Sequence, residues 1–184
     1  MLTFKNPDQV KFTADQHYWH TNVIKNQRRP FPDAETMNEE MIARHNAVVG
    51  PKDFVFIVGD FSFGGQNKKL EVIKRLNGRK FMCQGSHDAN LHKLRGCFED
   101  LRESYLIKIG DQIVFLSHYL HKSWPRSHYG SWHLHGHHHG RMENYAAGEG
   151  KILDVGVDGH GFRPWTWSEV FRVMAERPKN FNQP

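Results

Sequence analysis

Phe54-Val55-Phe56-Ile57-Val58-Gly59-Asp60 is the stretch on which the fold turns. Five consecutive apolar residues leave no polar face, so the strand they form is expected to be buried on both sides, as in the parallel sheets of α/β proteins. It ends in a glycine and a carboxylate, at the strand terminus where such sheets gather their ligands. Helical periodicity flanks it. Upstream, Asp33 is placed to cap a helix whose apolar positions Met37, Met41, Ile42, Val48 and Val49 follow a period of about 3.6, with Gly50-Pro51 as its stop. Downstream, Leu70, Ile73 and Leu76 share one face of a second helix, closed by Asn77-Gly78.

The same punctuation recurs along the chain. Val10, Phe12 and Ala14 alternate as a short strand and stop at Asp15-Gln16-His17-Tyr18-Trp19-His20. Lys80 to Gln84 reads as a strand ending in Gly85-Ser86-His87-Asp88. Tyr105 to Ile109, Gly110-Asp111 and Gln112 to Leu116 read as a β-hairpin whose second strand ends in Ser117-His118. Trp132 and Leu134 alternate into a run where five of the fourteen histidines fall within seven residues, His133 to His139. Imidazole is the commonest protein ligand for divalent transition metals, so a cluster this dense reads first as a metal site. Ile152, Val155 and Val157 suggest a late strand, and Arg163 to Trp167 reads as packing. Ser168 is placed to cap a last helix carrying Val170, Phe171, Val173 and Met174.

The chain has 184 residues, 38% of them hydrophobic, and no low-complexity block. That is one domain by length, expected over residues 1–177, with 178–184 as a loose tail. No apolar run is long enough to span a bilayer, and the start, Met1 to Pro7, lacks the apolar core of a signal peptide. Two cysteines, Cys83 and Cys97, make no disulfide framework, which points to a reducing cytoplasm. A net charge of +5 suits an anionic substrate. The basic residues are spread along the chain, so charge alone does not indicate nucleic-acid binding.

Five strand ends thus carry metal-ligating side chains: Asp15 and His17; Asp60; Ser86, His87 and Asp88; His118; His137 and His139. Each alone is an ordinary turn residue. Set along one sheet edge, they converge. Nitrogen and oxygen donors without a thiolate suit Mn, Fe, Zn, Ni or Co, and a carboxylate such as Asp60 can bridge two cations about 3.5–4 Å apart.

In their order and spacing, Asp15-x-His17, Gly59-Asp60, Gly85-Ser86-His87-Asp88, His118 and Gly136-His137-x-His139 resemble the motifs of the calcineurin-like metallophosphoesterases, in particular the small bacterial, archaeal and phage members. The resemblance implies an α/β fold of four layers, an αββα sandwich in which two mixed sheets are flanked by helices. It implies two divalent cations, manganese foremost. Asp15, His17, Asp60 and His139 would hold one, and Asp60, Ser86, His118 and His137 the other. His87 would face the phosphate and assist the leaving oxygen, with Asp88 orienting it. The implied activity is hydrolysis of a phosphodiester, or a phosphomonoester, by in-line attack of a metal-bound hydroxide. The partner is a phosphate ester, with nucleotide and nucleic-acid derivatives among the candidates and no membrane. Self-association stays open.

One position departs from the family pattern. Serine stands at 86 where the family has asparagine, and a hydroxyl is shorter and a poor neutral ligand. The second metal is therefore expected to be weakly held, to use a water in the gap, or to be absent; Asn90, one helical turn on, is expected to point elsewhere. Two rival readings follow: a binding scaffold that keeps the fold after losing a ligand, and a histidine-based metal store. His20, and Lys122 and Arg126 in the aromatic and basic loop from Tyr119 to Tyr129, are open to two readings each. They could contact phosphate oxygens or a base; His20 could equally be a satisfied buried histidine, and the loop a solvated surface. His133, His135 and His138 match no ligand position and are assigned to packing, solvent or supporting contacts.

Overall fold

The alternating stretch from Val10 and the apolar run from Phe54 become neighbouring parallel strands in the computed structural model, which describes residues 1–88 and 91–184. The strands are β1 (Leu2–Phe4), β2 (Val10–Thr13), β3 (Phe54–Val58), β4 (Arg79–Cys83), β5 (Asp100–Arg102), β6 (Ser104–Ile109), β7 (Gln112–Ser117), β8 (Trp132–His135), β9 (Ile152–Asp154) and β10 (Trp165–Thr166). The helices are α1 (Thr21–Asn26), α2 (Ala34–Val48), α3 (Gln66–Arg75), α4 (Glu143–Glu149) and α5 (Trp167–Glu176). Two mixed sheets result, ordered β10-β2-β3-β4-β5 and β1-β6-β7-β8-β9. In the first, β2 to β5 run parallel and β10 antiparallel. In the second, β7, β8 and β9 run parallel, and β6 pairs with β7 as the expected hairpin. Its two-residue turn sets Gly110 at φ +56°, where hairpin turns favour glycine.

The sheets pack face to face. Phe12, Phe56 and Phe81 from one meet Tyr105, Ile107, Leu116 and Leu134 from the other in a shared core. Period-two alternation sends Val55, Ile57 and Met82 to the opposite face, against Met37, Met41 and Ile42 of α2 and Val72 and Ile73 of α3. This two-sided burial is why β3 reads as an unbroken apolar run. Phe115 and Ile152 on the outer face of the second sheet are covered by Trp124 and by Ala146 of α4.

Three expectations are corrected. Thr166, not Ser168, caps α5: its side chain accepts from the Glu169 N–H while the Glu169 carboxylate accepts from the Thr166 N–H. This reciprocal box satisfies two otherwise orphaned donors, which a cap at Ser168 would not do. The late strand ends at Asp154; beyond it Gly156 bridges to Ala14 and Val157 N–H bonds to the Ala14 carbonyl, tying the two sheets together. The tail is anchored, because buried Asn180 donates to the Ser127 and Ser131 carbonyls and accepts from Lys151 N–H. Among the described residues, no helix is long and apolar enough to cross a membrane. Cys83 and Cys97 are free thiols.

Candidate metal centre

Because β2, β3 and β4 in one sheet and β7 and β8 in the other end at one edge, the five motif loops meet there. Backbone bonds hold them together: Asp15 N–H to the Gly59 carbonyl, His17 N–H to the Asp60 carbonyl, and Gly136 N–H to the His118 carbonyl. Asp15, His17 and His139 form one group of ligand atoms lying within 4.8 Å of one another, and Asp60, His118 and His137 form a second. Asp60 stands between them, its Oδ2 3.3 Å from His118 Nε2 and 3.7 Å from His17 Nε2. Asp15, His17, Asp60, His137 and His139 all adopt φ between 52° and 72°. For side chains with a Cβ this left-handed region costs about 1–2 kcal/mol each, and such strain concentrates at functional sites.

The ring nitrogens tell which way each histidine donates. His118 Nδ1 lies 2.9 Å from the Val58 carbonyl, an acceptor only, so Nδ1 carries a proton and Nε2 is the atom turned toward Asp60. His139 Nδ1 lies 2.7 Å from Asp158 Oδ2, which frees its Nε2 in the same way. The Nε2 atoms of His17 and His118 are buried and have no hydrogen-bond partner. Two buried imidazole nitrogens without partners thus face carboxylate oxygens, a polar cluster that a divalent cation would satisfy. The donor set, imidazole and carboxylate, fits the metals expected from the sequence.

Burial and the neighbouring charges shift these groups in both directions. Burial pushes the Asp15 carboxyl up to about 7, with Asp154 adding to the rise while His139, His118 and the His137 N–H oppose it. Burial also pushes Asp60 up, but His118, the His87 N–H and His17 outweigh it and hold the carboxylate well below the ordinary range. For His118, burial pulls down, yet Asp60, Asp15 and the Val58 carbonyl carry it up to about 8. His17 is driven well below its usual value, chiefly by burial.

The remaining expected residues divide. Ser86 Oγ donates to both Asp60 oxygens, at 3.0 and 3.2 Å, and the His87 N–H donates to Asp60 Oδ1 at 2.8 Å. The exposed His87 ring sits 4.0 Å from Asp60 Oδ2, at the mouth of the site. Asp88 does not orient His87. Its buried carboxylate accepts the N–H groups of Asp60, Phe61 and Gly85, and so fixes the loop that carries Asp60. His20 is at the site, its Nδ1 3.3 Å from His17 Nδ1 and its ring stacked on Phe63 with centroids 3.6 Å apart. Lys122 and Arg126 are not brought in: both are exposed, and neither makes a hydrogen bond or ion pair with these residues. The loop contributes Tyr119 instead, 4.8 Å from the His137 ring. Asn90 lies outside the described residues. His133 and His135 are buried in β8, and His133 Nε2 accepts from the His121 N–H.

Sequence reasoning missed Arg29 and Asp158. The buried Arg29 guanidinium clamps Asp158 through Nε and Nη2, each at 2.7 Å, and donates to the carbonyls of Asp15 and Gln16. It thus sets both the first motif loop and, through Asp158, the His139 ring. Asp158 precedes a glycine and looks like a turn residue, and Arg29 belongs to no motif.

No protein-family model matches the chain. It is 29% identical to the gene 66 protein of Mycobacterium phage L5, over 82% of this chain and 86% of that one. The crystal structure of the protein of unknown function AQ665 from Aquifex aeolicus superposes with a TM-score of 0.71 at 21% identity, covering 89% of this chain and 98% of that one, a likeness of fold alone. The uncharacterized protein MJ1445 of Methanocaldococcus jannaschii is 30% identical over 91% of this chain and 92% of its own. Shared nearly end to end, that similarity makes the chain a member of the MJ1445 family.

Proposed function

We propose that the chain is a metal-dependent phosphoesterase of the calcineurin-like type, with the metallo-dependent phosphatase fold and a preference for phosphodiesters. One observation carries the reading: two separate His/Asp groups with the Asp60 carboxylate set between them. Asp15, His17, Asp60 and His139 would hold one cation, and Asp60, His118 and His137 the other, with Ser86 beside it. Such a pair supplies Lewis acidity toward phosphoryl oxygens and water. The protein's own residues do the rest. Asp158 and the Val58 carbonyl hold the Nδ1 atoms of His139 and His118, so that Nε2 of each is the nitrogen turned inward to serve as a ligand. His87, exposed at the mouth with its backbone pinned to Asp60, is placed to give a proton to the leaving oxygen. The net charge of +5 favours approach of an anion.

Purified protein supplied with Mn²⁺ is expected to hydrolyse bis(4-nitrophenyl) phosphate, and His87→Ala and Asp60→Ala should each lower kcat/KM by at least about 100-fold. Equal turnover in wild type and both variants would remove the mechanism. The scaffold reading draws on Ser86, whose hydroxyl is spent on Asp60. It requires metal binding without turnover in the same assay.

A further inference from the structure

Beside His87 lies a cavity of about 370 Å³ that the chemistry above does not use. Gly64, Gly65 and Gln66 line one side, at the N-terminus of α3, and Phe63, Lys69, His87 and Lys93 complete the lining. The helix start has no side-chain cap, so its first N–H groups point outward without a partner from Gly65. Lys69 is only 7% exposed, yet among the described residues its ammonium makes no hydrogen bond or ion pair. The charge nearest to it in influence is Asp88, whose two oxygens already take three backbone N–H groups. The Lys69 stem is buried and its unbonded ammonium opens into a cavity that also holds helix N–H groups and a second lysine. Lys68, next in sequence, is engaged elsewhere, over the Trp19 ring at 3.9 Å.

We propose that this cavity is a second anion subsite, and that the substrate is a phosphoester bearing another phosphate, which Lys69, Lys93 and the amides of Gly65 and Gln66 hold while the scissile group lies on the other side of His87. The assignment of the anion to the substrate rests on the phosphoesterase reading; the binding of an anion does not.

Two measurements separate these. In chelator-treated protein, sulfate is titrated while the amide resonances of Gly64, Gly65 and Gln66 are followed. Saturable shifts are expected, lost in Lys69→Met and weakened in Lys93→Ala, with the rest of each spectrum unchanged as a check on folding. With Mn²⁺ present, 4-nitrophenyl phosphodiesters carrying an ω-phosphoalkyl arm of two, four or six carbons are compared with their ω-hydroxyalkyl counterparts. At one linker length the phosphorylated ester should have a KM lower by about tenfold or more, and Lys69→Met should erase the difference. Shifts without a preference at any length would mean a free anion and overturn the substrate assignment. Hydrolysis with neither shifts nor preference would overturn the subsite and leave the hydrolase reading intact. Sulfate binding with no hydrolysis of any ester would remove the hydrolase reading, and the substrate assignment with it.

Discussion

Asp158→Asn tests whether the site is held by the clamp behind it. Asp158 takes 2.7 Å bonds from His139 Nδ1 and from Nε and Nη2 of Arg29. The Arg29 side chain is fully buried and that of Asp158 is 11% exposed, so the pair is screened little by solvent. Removing one partner of a buried pair leaves the other charge uncompensated, at about 3–5 kcal/mol. Asparagine keeps the shape and one acceptor oxygen, which places the expected loss at the lower end, about 3 kcal/mol. Burial tends to raise the carboxyl of Asp158, yet His139 and Arg29 hold it below its ordinary range, so the charge being removed is present at neutral pH. The same substitution loosens the His139 ring and takes the negative charge from behind it. A supporting carboxylate of this kind is worth about 10–100-fold in metal affinity. Urea unfolding of chelator-treated protein reads the first effect, and calorimetric titration with Mn²⁺ the second. Glu39→Gln is the control: it removes the exposed pair with Arg75, and should change stability by less than about 1 kcal/mol. An Asp158→Asn protein as stable as the control, binding Mn²⁺ as tightly as wild type, would refute the argument.

Two further substitutions follow from the same geometry. Ser86→Asn replaces a hydroxyl that donates to Asp60 with an amide oxygen reaching further, and should tighten the weaker of two Mn²⁺ binding events by about tenfold, read by equilibrium dialysis; unchanged affinity and stoichiometry would count against the account of position 86. His45 is buried, with Nε2 3.1 Å from the Asn77 carbonyl, and burial holds its pKa down to about 4 against 6.5 in the unfolded chain. Between those values the unfolded chain binds the extra proton, so this contribution is intact above pH 6.5 and is lost as pH falls toward 4, by up to about 3 kcal/mol. His45→Gln should flatten the stability profile over that window in acid titrations followed by circular dichroism, and an unaltered slope would exclude the assignment.

What was legible in the sequence was local. β3 is sandwiched between two apolar layers, and that burial writes itself into five consecutive residues. Each expected ligand is announced by the strand before it, so Asp15, Asp60, His118, His137 and His139 could be placed without knowing the topology. Asp88 shows the limit of reading by adjacency. Next to His87 in sequence, it turns the other way and binds the backbone of the Asp60 loop, 27 and 28 residues distant. Arg29 and Asp158 are 129 residues apart, and neither carries a motif that names the other. His20 meets Phe63 only because the first and second motif loops are hydrogen-bonded side by side. The capping box at Thr166-x-x-Glu169 is written in the sequence, but Ser168 offers a second polar cap nearer the apolar positions of the helix.

The convergence itself has a steric condition that side-chain chemistry does not reveal. A Cβ at Gly85 would lie 2.4 Å from both the backbone nitrogen and Oδ1 of Asp60, and one at Gly136 would lie 2.8 Å from Asp15 Oδ2. At both places the missing side chain is what lets a neighbouring strand end bring its carboxylate in. The glycines in Gly85-Ser86-His87 and Gly136-His137 therefore belong to the site as much as the residues that follow them. Their absence of bulk sets the loops close enough for Asp60 to stand between His17 and His118, and the left-handed backbone at Asp15, Asp60 and His137 then turns each side chain inward. Strain of that kind persists only where surrounding bonds over-determine it. Here Asp88, Arg29 and the inter-loop backbone bonds supply them.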